Sequence, residues 1–533
     1  MLTRLFYHNL LGTQSLTTNF QRLSEDLSFL LESNPREAIR KAREIKTHAA
    51  ESKKLKSLQA AILVDGGTLA DDRGAVEEGV GILRDLHAVL PVSGIKYNLA
   101  NGILALVGNP PRDSTWVDHQ ERTREFRAEI RQLLWHAARD EDADYCLRTT
   151  AWTNLANQFS NSFRLSEAHD ARMAALKADP ENGVAAGSAA KELLWLYRQG
   201  GCSELTLMEA TMLAKLALQH EDRIIQYAGN KAAVEIAEFA KGFDEPPQRS
   251  SHTDPFIEWL ENERLTLSPA VELVDPALGK LDWLTLPGII DRTSEADGRP
   301  PAIFAMFNVL KSDFILARDL AWRARDEDLW PKTGRFADTL DYAEYGPDSS
   351  ALALAHRTAL DLLDKIAVTA NHYFGLGRPP NRVSFGRLWR RRETQKSGIL
   401  PPPLTKAVDE TIRSGVGALY GLVELADDYA SKDGILHSQQ NLRNAGTHRF
   451  VVLHDLEGSR DRRKIPEIEH LEREEFTQEV LKALRAARSG IQMLALAVSQ
   501  HQRVYHRQSP GMVFTQVVPD HDWVRGRQKS TDE

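Results

Sequence analysis

The sequence predicts an all-α protein in which tetratricopeptide-like (TPR-like) helical repeats precede a C-terminal helical bundle. Long stretches rich in Ala, Leu, Glu, Arg and Lys carry apolar residues at steps of three and four, which is the period of an amphipathic helix. Strand-like alternation is scarce. Prolines cluster between the helical stretches, where they end helices because proline has no backbone N–H to donate.

The clearest repeat unit is residues 151–182. Trp152 begins the apolar face of a first helix, Ala168 is small enough for a second helix to approach closely, and Pro180 ends that second helix. This spacing is typical of a tetratricopeptide repeat, although Arg172 stands where a large apolar residue is usual. Generic helix hairpins are the alternative interpretation. Repeat arrays of this kind usually bind partners on a concave face.

Changes of pattern divide the rest of the chain. Amphipathic stretches predict bundle helices at 307–322, 351–377, 405–430 and 474–502. We assign an N-terminal segment at 1–19, a TPR-like helical-repeat domain at 20–243, a linker and lead-in segment at 244–300, a helical-bundle domain at 301–510 and a C-terminal tail at 511–533.

Composition excludes several classes of protein. A net charge of -8 argues against a chain that is basic throughout and binds nucleic acid over its whole surface. Cys146 and Cys202 have no CxxC neighbour, so we expect neither a disulfide framework nor a zinc ribbon, and we expect a cytoplasmic protein. No stretch reaches the roughly 18 apolar residues of a membrane helix, and no GxxxxGK[ST] phosphate loop is present.

The stretch NLRNAGTH, residues 441–448, holds Arg443, Asn444 and His448. If it is helical, Asn444 and His448 share a face because they are four residues apart. RNA phosphodiester cleavage needs a base for the ribose 2′-hydroxyl proton and a cation for the charge that builds on the phosphoryl oxygens. Histidine and arginine supply both without a metal. Taken alone, the stretch also fits the polar end of a solvent-facing helix.

Five segments between about residues 255 and 505 are distinctive: WLENERLTLSP (259–269), FNVLKSDFILAR (307–318), LLDKIAVTANHYFGLG (362–377), VSFGRLW (383–389) and LRNAGTHRFVVLHD (442–455). On these segments the chain resembles a HEPN domain (higher eukaryotes and prokaryotes nucleotide-binding), closest to a prokaryotic subfamily with TPR-like helices before it. The resemblance implies a helical bundle that dimerises, in which Arg-x4-6-His motifs of two protomers meet and cut RNA without a metal. Arg443 and His448 match that motif, and Asn444 matches its polar position. Gly446 replaces the subfamily's usual large apolar residue.

The predicted helix at 351–377 supplies possible supporting residues. Asp364 and Lys365 are candidates to orient or charge-balance the motif, because HEPN domains often place a polar residue on such a helix. An internal or surface ion pair is an equal alternative. Asn371, near the end of the same helix, is a further candidate.

A basic stretch at 387–396 is a candidate RNA-binding surface. Positive side chains around an aromatic ring could grip a phosphate backbone and stack a base. A charge run is more often a solvated loop, and that alternative stays open. The candidate residues are Arg387, Trp389, Arg390, Arg391, Arg392 and Lys396.

We expect no metal and no cofactor. His448, His454 and Asp455 lie close in sequence, but their spacing does not match a helix-borne HExxH site, and no further ligand cluster is evident.

The function predicted from these observations is a metal-independent HEPN-type endoribonuclease that leaves 2′,3′-cyclic phosphate ends. Its partners would be RNA, with tRNA as one candidate, a second copy of the chain as a homodimer, and a protein or phage-derived partner bound by the repeats, with no membrane association. The family association suggests toxin-like or antiviral defence. The alternative is a non-catalytic TPR/HEPN scaffold that binds protein or RNA.

Overall fold

The computed structural model describes residues 18–45, 52–243, 254–271, 281–290, 299–331, 333–391, 402–432, 434–439, 442–443, 449–455 and 465–508. Over these residues it confirms an all-α protein with one small sheet, and no helix among them has the length and apolar character needed to cross a membrane. The N-terminal half consists of α1 Thr18–Ser33, α2 Pro35–Arg43, α3 Ser52–Ala70, α4 Arg73–Val89, α5 Ser93–Val107, α6 Trp116–Arg122, α7 Arg124–Arg139, α8 Tyr145–Ser160, α9 Leu165–Ala178, α10 Gly183–Gln199, α11 Glu204–Gln219, α12 Glu221–Ala228 and α13 Asn230–Lys241.

The C-terminal half contains the bundle helices and the strands. They are α14 Pro255–Glu263, α15 Ala302–Arg323, α16 Pro347–Tyr373, α17 Lys406–Arg413, α18 Gly417–Ala430 and α19 Arg473–Gln508, with β1 Ala343–Glu344, β2 Phe450–His454 and β3 Ile468–Glu472.

The N-terminal helices pair with near neighbours in sequence: α3 with α4, α5 with α7, α8 with α9, and α10 with α11. The predicted repeat unit is the α8–α9 pair, and Ala168 is fully buried between helices. The departing residue, Arg172, is also buried, and it forms an ion pair with Glu192 on α10. An ion pair to the next helix therefore replaces the apolar contact of an ordinary repeat. The assignment to tetratricopeptide repeats itself stays a prediction.

Three long helices, α15, α16 and α19, pack together as the centre of the bundle, and α18 packs on α19. The predicted helix at 405–430 is instead two helices, α17 and α18. Gly415 separates them with φ +115°, a backbone conformation that side-chain-bearing residues rarely adopt. Helix α16 ends before Gly375 and Gly377, both at positive φ, as the glycine pair predicted.

A three-stranded sheet lies beside the bundle and was not predicted. Strand β1 pairs antiparallel with β2, and β2 pairs parallel with β3. The strands have two, five and five residues. Strands this short give little alternation for a sequence pattern to detect.

The described part of the predicted linker packs against the bundle. Trp259, Leu265 and Leu284 belong to the same buried apolar cluster as the bundle helices. Arg318 on α15 holds this segment through hydrogen bonds from its guanidinium to the Leu265 carbonyl at 2.8 Å and to the Asp282 carboxylate at 2.8 Å.

Buried ion pairs join the repeat half to the bundle. Arg131 on α7 contacts Glu424 at 2.9 Å and Asp428 at 2.8 Å, both on α18. Arg164, between α8 and α9, contacts Asp428 at 2.5 Å, and Arg127 pairs with Glu424. All five side chains are at most 4% exposed. Because isolated buried charges are costly, this mutual pairing fixes how the two halves meet.

Substitution of Gly421 with alanine is expected to lower the free energy of unfolding by about 1–3 kcal/mol, because it crowds the contact between α18 and the repeat half. A Cβ at Gly421 on α18 would lie 2.6 Å from the Met493 sulfur and 3.1 Å from the Ser162 carbonyl oxygen. Urea unfolding measures the change. Gly81→Ala on α4 is the control, because its Cβ would meet nothing within 4 Å, and it is expected to stabilise by about 0.5–1 kcal/mol. Equal effects of the two changes would contradict the close approach.

Candidate active site

Arg443 lies against helix α16. Its Nη2 atom donates hydrogen bonds to an Asp364 carboxylate oxygen at 2.7 Å and to an Asp361 carboxylate oxygen at 3.2 Å. These aspartates are three residues apart and so share one face of the helix. The Arg443 side chain is 29% exposed, so part of the guanidinium remains accessible to a ligand.

Burial alone would lower the pKa of Arg443, but hydrogen bonds to Asp364 and to the Tyr429 hydroxyl outweigh it and raise that pKa above its usual value. Arg443 is therefore a permanent cation. Burial raises the pKa of Tyr429, although the neighbouring Arg443 charge works against this rise. The neutral phenol is thus available as a hydrogen-bonding partner at neutral pH.

Asp364 connects Arg443 to VSFGRLW (383–389), another of the segments that carry the resemblance. Its other carboxylate oxygen accepts the backbone N–H of Phe385 at 2.7 Å. The Phe385 ring is buried and lies edge-on to Tyr429 with 6.5 Å between ring centroids. Asp364 is thereby held by the Phe385 N–H on one side and pairs with Arg443 on the other, a geometry that fits both the predicted orienting role and the ion-pair alternative.

The rest of the motif falls outside the described residues. Asn444, Gly446 and His448 are among residues 444–448, so their predicted roles stay predictions. The chain is described again from Arg449, whose guanidinium forms an ion pair with Glu469 on β3 at 3.1 Å.

Two predicted supporting residues have other partners. Lys365 forms an exposed ion pair with Asp313 at 2.5 Å, so it points to α15 and not to Arg443. The Asn371 side chain bonds the carbonyl of Arg378 at 2.8 Å and its N–H at 3.0 Å. Asn371 therefore fixes the chain after α16, which corrects its assignment as a supporting residue of the motif.

The predicted RNA-binding surface needs correction at two of its residues. Trp389 is 2% exposed, and its indole N–H donates to the Phe385 carbonyl at 2.7 Å, so its ring is not available to stack a base. Arg390 is 9% exposed and pairs with Glu121 at 2.8 Å and Asp427 at 2.6 Å. Trp389 is part of the buried bundle core, and Arg390 connects the bundle to Glu121 in the repeat half.

The other four residues predicted for that surface stay candidates. Arg387 and Arg391 are exposed and remain candidates for contact with a phosphate backbone, while Arg392 and Lys396 lie outside the described residues.

Several residues around these sites were missed by sequence reasoning. Asp361 could have been found, because it lies one turn before Asp364 on a predicted helix. Tyr429 gave no such signal. The metal alternative had grouped His454 with His448 and Asp455, whereas among the described residues His454 lies beside Asp341 and His470. Asp341 is 113 residues from His454, too far for any local pattern to connect them.

Comparison with known families adds one finding. Residues 294–501 match the family model described as LA2681-like HEPN, which covers the bundle helices from α15 to most of α19, the sheet and the NLRNAGTH stretch. No curated protein matches the chain.

Proposed function

The C-terminal part of the chain, residues 294–501, is a HEPN domain of the LA2681-like family, and we propose that it is a metal-independent endoribonuclease with Arg443 and His448 as catalytic residues. HEPN domains are generally associated with ribonuclease activity. The observation that carries the proposal is the placement of Arg443, a permanent cation held by Asp364 at 2.7 Å and still 29% exposed.

The proposed reaction is attack by the ribose 2′-oxygen on the neighbouring phosphorus. His448 takes the 2′-hydroxyl proton as the new P–O2′ bond forms, and a proton returns from imidazolium to the 5′-oxygen as the P–O5′ bond breaks. Arg443 stabilises the charge on the phosphoryl oxygens, and Asn444 positions the imidazole or the phosphate. The products are a 2′,3′-cyclic phosphate and a 5′-hydroxyl.

A homodimer and control by the repeats complete the proposal. In a two-fold dimer, two copies of the motif would share one cleft. Control by the repeats is supported by helix α18, which carries both Asp428 and Tyr429. Asp428 bonds the repeat-half residues Arg131 and Arg164, and Tyr429 is in hydrogen-bond contact with Arg443. A partner that moved the repeats would therefore pull on Asp428, which is next in sequence to Tyr429, the residue that contacts Arg443 of the motif. Toxin-like or anti-phage defence is the role we propose for such a regulated nuclease.

The proposal is tested by the ends of RNA fragments. Purified protein is incubated with total RNA and with tRNA in EDTA, beside the double variant Arg443→Ala/His448→Ala, with and without lysate from phage-infected cells as a source of an activator. We expect fragments with 2′,3′-cyclic phosphate and 5′-hydroxyl ends from the wild-type protein and none from the double variant. Fragments with 3′-hydroxyl ends, or fragments that the double variant produces equally, would contradict it.

The scaffold alternative predicts a different result. A non-catalytic domain would bind RNA or a protein through the repeats and leave the RNA intact in every arm, including the arm with lysate. Such an outcome would replace the nuclease proposal with the scaffold. The intact pair of Arg443 and His448 in the sequence favours the enzyme.

A further inference from the structure

The small sheet brings together three side chains that can bind a metal. His470 on β3 pairs with Val452, two residues before His454 on β2. Because alternate residues of a strand point to the same face, His454 and His470 share one face of the sheet. Ala343 on β1 lies opposite His454, and Asp341 precedes it by two residues. One ligand atom from each of Asp341, His454 and His470 lies within 4.8 Å of the others.

The imidazole of His454 is oriented as a metal-binding imidazole usually is. It is fully buried, and its Nδ1 lies 3.0 Å from the backbone carbonyl of Asp341. A carbonyl oxygen only accepts, so Nδ1 carries the proton and Nε2 presents its lone pair. That Nε2 lies 2.9 Å from Nδ1 of His470. His470 Nδ1 therefore donates its proton to that Nε2, and an ion bound here would replace this hydrogen bond, with His470 carrying its proton on Nε2 so that both facing nitrogens present lone pairs.

The carboxylate of Asp341 is oriented in the same way. The Thr339 hydroxyl donates to it at 2.5 Å, and the backbone N–H of Ala343 also bonds to it. Its two neighbours, Leu340 and Tyr342, have φ of 57° and 59°, a conformation that bulky residues seldom adopt. The loop thus holds Asp341 beside the two histidines at the expense of backbone strain.

We propose that Asp341, His454 and His470 bind one divalent transition-metal ion, and that Zn²⁺ is the ion this ligand set fits best. Two imidazole nitrogens and one carboxylate oxygen, with water as a fourth ligand, are typical of zinc. Mg²⁺ and Ca²⁺ prefer oxygen ligands throughout. With Zn–N bonds of about 2.0–2.1 Å, tetrahedral geometry places the nitrogens about 3.4 Å apart, so a small rotation of the rings from their 2.9 Å separation admits the ion.

The ion would connect strands β2 and β3 to the loop that leads into β1. Strand β2 begins at Phe450, two residues after His448, so the ion would anchor the segment into which the candidate motif leads. The ion supplies no step of the proposed RNA cleavage. The inference rests on the sheet and not on the proposed nuclease.

The test measures metal binding by the full-length chain without RNA. Protein stripped with EDTA and desalted is dialysed against Zn²⁺ for metal analysis, and is titrated with Co²⁺, whose visible absorption reports tetrahedral coordination by nitrogen and oxygen. The test variants are His470→Gln and Asp341→Asn, because His454 is fully buried and its replacement could prevent folding. His372→Gln is the control, since His372 is an exposed histidine on α16. Circular dichroism confirms that each variant is folded.

We expect one ion per chain in the wild-type protein and in His372→Gln. In folded His470→Gln and Asp341→Asn, we expect the affinity to fall by at least about 10-fold, since even the loss of an outer hydrogen-bonding partner costs about 10–100-fold. No bound ion in the wild-type protein, or equal binding by His470→Gln, overturns the site. RNA cleavage does not enter this measurement, so the metal site and the nuclease can each fail separately.

Discussion

Replacement of Arg443 with alanine is expected to lower the rate constant of RNA cleavage by about 10²–10³-fold, the usual loss when one group that stabilises transition-state charge is removed. The chain should remain folded. Asp361 and Asp364, which would lose their partner, are 60% and 26% exposed, so water can solvate both carboxylates. Single-turnover cleavage of a short RNA separates this chemical effect from product release.

Two further variants distinguish a catalytic arginine from a structural one. Arg443→Lys keeps the charge but loses the two-pronged hydrogen bonding of a guanidinium, so it should recover only part of the rate. Arg449→Ala is the matched control, because Arg449 lies in the same region and forms a partly exposed ion pair with Glu469. If Arg443→Ala cleaved as fast as Arg449→Ala, Arg443 would have no catalytic role.

Replacement of Asp428 with alanine is expected to cost about 3–5 kcal/mol of folding free energy, since it removes the carboxylate that two buried cations share and leaves Arg131 with Glu424 and Arg164 with Glu167. Asp428 is 2% exposed and holds both Arg131 and Arg164, which are each 1% exposed. Chemical denaturation measures the loss. A separate early transition for one half of the chain would show that the two halves rely on this contact for their docking.

Arg413→Ala is the control for that prediction. Arg413 also crosses from the bundle to the repeat half, where it pairs with Asp118 at 2.6 Å, but the two side chains are 37% and 48% exposed. Exposed pairs contribute about 0–1 kcal/mol. Similar losses for Asp428→Ala and Arg413→Ala would contradict a special role for the buried network.

The same network gives a pH dependence. Burial would raise the pKa of Asp428, but Arg131 and Arg164 outweigh it and hold that pKa below its ordinary value. A carboxyl whose pKa is lower in the folded state stabilises the fold fully above its unfolded pKa, which is about 3.9. We therefore expect this stabilisation to be lost as the pH falls below about 4, and Asp428→Ala to show a weaker loss of stability over that range.

Local pattern was enough to predict the helical class and part of the site. The bundle helix predicted at 474–502 is α19, Arg473–Gln508. It could be predicted because the buried face of a long amphipathic helix appears in the sequence as apolar residues at steps of three and four. Asp364 was a candidate to orient the motif, and it bonds Arg443 at 2.7 Å. The candidate could be found because a polar residue on a bundle helix is visible in the sequence even when its partner is distant, and its orienting role stays a prediction.

The errors arose where distant residues decide the environment. Trp389 and Arg390 look like a basic aromatic patch, but Arg390 pairs with Glu121, 269 residues away. Distance in sequence also concealed the cluster of Asp341, His454 and His470 at the sheet. Strand β1, which follows Asp341, has only two residues and so gives no pattern to detect. Gly415 broke a predicted helix because it lies at φ +115°, outside the helical region, and the period of the apolar residues does not reveal this.

The most direct test of the central claim is the single-turnover cleavage rate of a defined RNA in EDTA, measured from pH 5 to 8 for the wild-type protein and for His448→Ala. We predict a wild-type rate that changes with pH between 5 and 8 because the reaction uses an imidazole that must gain and lose a proton, and a loss of about 10²–10⁴-fold in His448→Ala. Equal rates and equal pH profiles for the two proteins would contradict the assignment of His448, and with it the proposed nuclease.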